Sequence, residues 1–214
     1  MDSPQNGGGS TPGHIELILG PMFAGKTTEL LRRLRRYEIA KRRCKLITST
    51  KNTRAGPGLL DTHGGEQHDC DKCTSLSELE CVLDDYDVIA VDEGQFFEDL
   101  APMCSAFADE GKIVLVASLV AWTGRVPCES VSQLIPLCEF VDKLTAICPK
   151  CGNDASFTTR RSEHGDSVIS RRQPNTASEE DKGLIRIGGA DVYETLCRAC
   201  LISHEQGVNW SDDG

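Results

Sequence analysis

Three groups of residues in this chain have the types and spacings that chemistry requires. The first is Gly20-Pro21-Met22-Phe23-Ala24-Gly25-Lys26-Thr27, which fits the phosphate-cradling pattern GxxxxGK[ST] at every defined position. Glycines let backbone N–H groups curl around an anion, a following helix presents its positive end, Lys26 can reach the outer phosphates, and the Thr27 hydroxyl can hold Mg²⁺. The second is Asp87-Val88-Ile89-Ala90-Val91-Asp92-Glu93, an apolar run ending in two acids. Alone it reads as a solvated strand end. Beside a phosphate loop, Asp92 is placed to hold Mg²⁺ through water and Glu93 to take a proton from the attacking nucleophile. The third pairs Cys148-Pro149-Lys150-Cys151 with Cys197-Arg198-Ala199-Cys200. Two CxxC turns can place four thiolates on one tetrahedral Zn²⁺, and the rival reading is a redox CxxC.

A weaker cluster, His63, His68, Cys70 and Cys73, reads either as a second zinc site or as a chance pairing in a chain with eleven cysteines. Cys44, Cys81, Cys104, Cys128 and Cys138 are most simply small core or surface residues.

The elements that must position these groups follow from hydrophobic periodicity. Ile15–Leu19, Cys44–Thr48, Asp87–Val91, Ile113–Ser118 and Leu144–Ile147 are short apolar runs separated by helical or irregular stretches, the pattern of a parallel sheet flanked by helices. Thr28–Arg43 is rich in helix formers, with Leu30, Leu34 and Tyr37 on one face. Lys51–Cys73, with Gly56-Pro57-Gly58 and Gly64-Gly65, reads as a long excursion, and Ser75–Leu83 as a helix with Ser77 as its cap. After Ile147 helical periodicity fades. The expected organisation is a leader over 1–13, an α/β nucleotide-binding domain over 14–147, a small β-rich zinc-stapled domain over 148–202 with a polar loop at 162–182, and a tail over 203–214.

Composition narrows the partners. A net charge of −10 argues against general binding to nucleic acid or to membrane surfaces, which call for a basic face. Arg32, Arg33, Arg35, Arg36, Lys41, Arg42, Arg43 and Lys45 crowd one helix and its exit, which reads as a solvated or intersubunit face in preference to a polyanion site. No charged-then-apolar signal opens the chain, and no apolar run approaches the ~20 residues that span a bilayer, so a reducing cytoplasmic setting is expected.

The phosphate loop with Thr28-Glu29-Leu30 after it, Asp92-Glu93-Gly94-Gln95-Phe96-Phe97, the two cysteine pairs and Ile187-Gly188-Gly189-Ala190-Asp191-Val192-Tyr193 together resemble the cytosolic (type II) thymidine kinases over about Ile15–Cys200. The resemblance implies transfer of the ATP γ-phosphoryl to the thymidine 5′-hydroxyl, Mg²⁺ with ATP, a structural zinc in a lasso-bearing domain, feedback inhibition by dTTP and a homotetramer. It makes Glu93 the general base, Asp92 and Thr27 the Mg²⁺ holders, and Gly20 to Gly25 with Lys26, Arg54 and Gln95 the ATP side. Phe96 resembles the ring that stacks on the base, and Thr158 the base-edge contact. Leu184, Ile185, Arg186, Ile187, Gly188 and Tyr193 resemble the lasso over the nucleoside. Without the resemblance, a water-using phosphate-loop ATPase and a zinc-binding interaction protein with a vestigial loop remain as alternatives.

The chain departs from that family in three places. Asn52 stands where an acid is usual, and 162–182 is longer than the usual lasso. Leu119-Val120-Ala121-Trp122-Thr123 replaces Leu-Asp-Gly-Thr-Phe, which puts Thr123 at an aromatic position. If Trp122 points away, the nucleoside pocket is roomier and discriminates less. If it refills the space, specificity is unchanged.

Overall fold

The computed structural model describes residues 13–52, 58–61, 67–161 and 189–206. Its centre is a six-stranded sheet in which every neighbouring pair is parallel. In chain order the strands are β1 (His14–Gly20), β2 (Cys44–Ser49), β3 (Leu59–Asp61), β4 (Gln67–Asp69), β5 (Asp71–Cys73), β6 (Val88–Asp92), β7 (Ile113–Leu119) and β8 (Phe140–Lys143). The sheet runs β5-β2-β6-β7-β1-β8, while β3 and β4 form a separate hairpin.

The apolar runs are continuous because both sheet faces are covered. Side chains alternate across a strand, so Ile15, Leu17, Leu19, Ile89, Val91, Val114 and Val116 face one layer, and Ile18, Val88, Ala90, Leu115 and Ala117 the other. Helix α1 (Lys26–Ile39) covers the second layer with Leu30, Leu31 and Leu34. Leu30 is fully buried, a contribution of about 1.5–3 kcal/mol for a side chain of that size. The first layer is covered by α3 (Leu100–Asp109) and α4 (Glu129–Leu134), after the short α2 (Glu80–Leu83).

Several local expectations are corrected. Leu144–Ile147 is not a strand of the main sheet. The edge strand is β8, one turn of chain earlier, and Ala146–Ile147 is instead β9, paired antiparallel with β10 (Asp154–Ala155). The apolar spacing could not separate the two, since both follow directly on one another. Lys51–Cys73 is not all excursion: Leu60, Cys70 and Cys73 are buried, and β5 lengthens the sheet. Ser75, not Ser77, precedes the short turn at Leu76, and its N–H donates to the Glu78 carboxylate at 3.1 Å. The helix read as Thr28–Arg43 begins two residues earlier and ends at Ile39, before Lys41 turns to a φ of 62°.

The remaining chain makes the small unit. β11 (Phe157–Arg160) pairs antiparallel with β12 (Tyr193–Leu196), and α5 (Arg198–Glu205) follows. The helix runs past 202 into the stretch read as a tail, with Cys200 and Leu201 buried beneath it. The core here is small, Ala146, Cys148, Ala155, Leu196, Cys197, Cys200 and Leu201, and more than half of its lining is cysteine or alanine. Phe23 and Ala24 of the phosphate loop pack against it. The leader through residue 12, the whole of 162–188 with the 162–182 loop inside it, and the chain after 206 lie outside the described residues.

Candidate active site

The C-terminal ends of β1 and β6 bring the loop and the acids together. β1 ends at Gly20, the loop turns, and Gly25 takes a φ of 77° to start α1 at Lys26. That left-handed conformation is open to glycine without the Cβ conflict other residues meet. Phe23 takes the same region at φ 63° without being glycine, a strain of about 1–2 kcal/mol that its packing on the small unit holds in place.

Thr27 Oγ1 lies 3.1 and 3.2 Å from the two carboxylate oxygens of Asp92. A hydroxyl and a carboxylate so close are the donor set that suits Mg²⁺, a hard cation preferring oxygen. The Lys26 ammonium donates to the Pro21 carbonyl at 2.7 Å, closing back on the loop it would leave to meet a phosphate.

Glu93 follows Asp92 in a left-handed conformation, φ 54° and ψ 43°, and is buried. Gln95, also buried, donates from Nε2 to Glu93 Oε2 at 2.5 Å, and its Oε1 accepts from Ser118 Oγ and from the Leu119 N–H, each at 3.0 Å. The side chain read as an ATP or Mg²⁺ contact thus has both ends of its amide engaged by protein. Gly94 between the two suits a close approach, since a Cβ there would sit 3.0 Å from Val116 Cγ1.

The nucleoside side is partly described. Phe96 is half-buried, its ring 5.9 Å from that of Trp122 at 47°, with the Lys51 ammonium 5.9 Å from its centroid. Trp122 is buried in the main core. It has not turned out to solvent. Thr123 is buried, and among the described residues neither its Oγ1 nor Trp122 Nε1 has a hydrogen-bond partner. Asn52 is buried too: its Nδ2 donates to Thr48 Oγ1 at 3.2 Å, and its main-chain oxygen accepts from Lys72 Nζ at 3.2 Å. Tyr193 is buried at the start of β12. Arg54, His63 and Leu184 to Gly188 lie outside the described residues.

Thr158 sits in a place its sequence reading did not suggest. Its Oγ1 accepts from the Met22 N–H at 3.0 Å, while the Thr195 hydroxyl, opposite it on β12, donates to the Met22 carbonyl at 2.9 Å. The phosphate loop is thereby held at both ends of one residue by the small unit. Thr195 carried no signal of this beyond lying two residues before Cys197. Ser118, which supports Gln95, carried none.

Cys148, Cys151, Cys197 and Cys200 converge, their sulfurs within 4.8 Å of one another. Cys151 and Cys197 sulfurs are 3.6 Å apart, near the ~3.8 Å expected across a tetrahedral site with Zn–S of about 2.3 Å. Burial pushes the Cys148 thiol up, but backbone N–H donors from Cys197, Lys150 and Cys151 outweigh it and bring it to about 7. Cys200 is driven up by burial and by the neighbouring sulfurs. Four thiolates cannot share this volume unless a cation offsets their repulsion, so the residues fit a zinc ion, which would staple a unit with little core of its own. Of the second cluster, His63 lies outside the described residues. Cys70 and Cys73 lie three residues apart on extended chain, pack into opposite layers of the sheet, and belong to no metal-competent group among the described residues.

The arrangement agrees with comparison to known proteins. The family profile described as thymidine kinase matches residues 13–201. The chain belongs to the thymidine kinase family. The thymidine kinase of raccoon poxvirus is 43% identical over 191 residues, covering 89% of this chain and 98% of the relative. That of vaccinia virus (strain Western Reserve) is 43% identical over 190 residues, covering 89% and 97%, and that of variola virus is 42% identical over the same length and shares. No helix among the described residues is long and apolar enough to cross a membrane.

Proposed function

We propose that this protein is an ATP-dependent thymidine kinase that moves the γ-phosphoryl group of ATP to the thymidine 5′-hydroxyl, giving dTMP for deoxynucleotide salvage. The observation that carries the reading is the placement of Glu93 directly after the Asp92–Thr27 pair, at the strand end beside the phosphate loop. Phosphoryl transfer asks little covalent work of a protein and much positioning. The loop and Lys26 would hold the phosphates, and Thr27 with Asp92 would hold Mg²⁺, which would offset the charge of the phosphates. Glu93 takes the proton as the O5′–H bond breaks, the O5′–P bond forms, and the electron pair of the old P–O bond leaves with ADP. Phe96, backed by Trp122, would stack on the base, with Thr158, Tyr193, Arg54 and the 184–188 backbone completing the enclosure.

The zinc reading rests on the four converging sulfurs, and a cytoplasmic location on eleven free cysteines. A homotetramer is supported by exposed Phe140 and Val141 on β8, the edge strand, with exposed Leu137 just before it, because a strand paired on one side only calls for cover. Feedback inhibition by dTTP rests on family membership. Incubating the protein with ATP, Mg²⁺ and labelled thymidine tests the central claim. Labelled dTMP is expected, whereas phosphate released without dTMP would make the protein an ATPase.

A further inference from the structure

The turn from Glu93 to Phe96 is pressed onto β7, and that contact decides how Glu93 is held. Gly94 lies so near β7 that a Cβ there would sit 3.0 Å from Val116 Cγ1, a contact the valine would have to give way to. Gln95 is thereby brought to the end of β7, where Ser118 Oγ and the Leu119 N–H both point at one atom of its amide. A backbone N–H can only donate, so that atom is the oxygen, and the amide orientation is fixed by chemistry. The NH₂ group must then face Glu93, whose Oε2 it meets at 2.5 Å. Glu93, Gln95, Ser118 and Leu119 are all at least nine-tenths buried, so water does not compete freely for these bonds.

We infer that Gln95, held by Ser118 and the Leu119 N–H, is a positioning residue that fixes the Glu93 carboxylate and gives its two oxygens different tasks. Oε2 accepts the Gln95 amide throughout the cycle. Oε1, the oxygen turned from Gln95, receives the proton of the substrate hydroxyl as the O5′–P bond forms. A carboxylate on a flexible side chain would sample many orientations, and loss of orientation by even an ångström is costly to rate. The strained φ of Glu93 is compatible with this, because strain persists where surrounding contacts over-determine the conformation. The chain of bonds joins the end of β7 to Glu93 at the end of β6.

This inference rests on Glu93 being the base, and a double-mutant cycle separates the two claims. Gln95→Met keeps volume and removes the donor. It is expected to lower kcat roughly tenfold while leaving KM for ATP and thymidine within about twofold. In a Glu93→Gln background the same change should cost less than about twofold, since a residue acting only through Glu93 has nothing left to position. Equal loss in both backgrounds, or a rise in KM for ATP with kcat unchanged, would overturn the inference. Near-normal turnover of Glu93→Gln alone would instead remove the base. Should Gln95→Met fail to fold, Ser118→Ala carries the same cycle: it leaves the Leu119 N–H in place, with an expected kcat loss of roughly threefold that must also vanish when Glu93 is Gln.

Discussion

The Thr195 hydroxyl donates to the main-chain oxygen of Met22 at 2.9 Å, joining residues 173 apart in sequence. Thr195 lies on β12, just ahead of the Cys197-x-x-Cys200 turn, and Met22 is inside the phosphate loop. With Thr158 accepting from the Met22 N–H, the loop and the four-cysteine unit become one mechanical body. Thr195→Val should therefore weaken ATP binding several-fold and cost about 1 kcal/mol of stability, the usual net worth of one such bond. Isothermal titration with a non-hydrolysable ATP analogue checks the first part and urea unfolding the second. An unaltered ATP affinity would mean that packing of Phe23 and Ala24 suffices.

Metal removal should act through the same joint. Purified protein is expected to hold one zinc per chain by elemental analysis. Cys197→Ser or a strong chelator should lower both zinc content and ATP affinity, because metal affinity in a unit with so small a core is folding free energy. Two zinc ions per chain would contradict the separation of Cys70 from Cys73.

Base specificity should depend on Trp122. Its ring lies 5.9 Å from that of Phe96 and is buried, and with this bulk beside the base-stacking ring wild-type turnover is expected to be confined to thymidine among the four natural deoxynucleosides. Trp122→Ala should cost about 3–5 kcal/mol of stability and admit larger bases. Relative kcat/KM across the four nucleosides reads the outcome, and equal use of deoxyguanosine by wild type would show an open pocket.

Thr123 offers a gain. Its hydroxyl is buried with no partner among the described residues, so Thr123→Val, nearly the same shape, removes an unmet polar group. Stability should rise by about 1 kcal/mol with KM for thymidine unchanged. A higher KM would place the hydroxyl on the nucleoside.

Acid should weaken the attachment of α1 to the sheet. Arg33 bridges Glu29 of its own helix, Glu16 of β1 and Asp142 of β8. The hydrogen bond from Arg32, then those of Arg33, hold the Glu29 carboxyl down at about 2. Burial would raise Glu16, but Tyr37, His14 and Arg33 bring it below its ordinary 4.5. Both groups are depressed in the folded state, so their contribution is present above about pH 4.5 and is lost as pH falls toward 2. Melting temperature against pH, compared with a Glu16→Gln/Glu29→Gln variant, should show the two curves converging across that window.

The sequence by itself determined the chemistry that lives within a few residues of chain. Gly20 to Thr27, Asp92-Glu93 and each CxxC turn are fixed by local backbone geometry, and spacing alone revealed them. Short apolar runs likewise marked four of the six sheet strands, β1, β2, β6 and β7. Only the tertiary structure decided where separate segments meet. It chose Phe140–Lys143 over Leu144–Ile147 for the sheet edge, and it sent Cys70 and Cys73 into opposite layers. It turned Gln95 toward Glu93 and set Thr158 and Thr195 on Met22. Each of these depends on which way a side chain points once strands distant in sequence lie side by side, a direction that hydrophobic period and motif spacing do not encode.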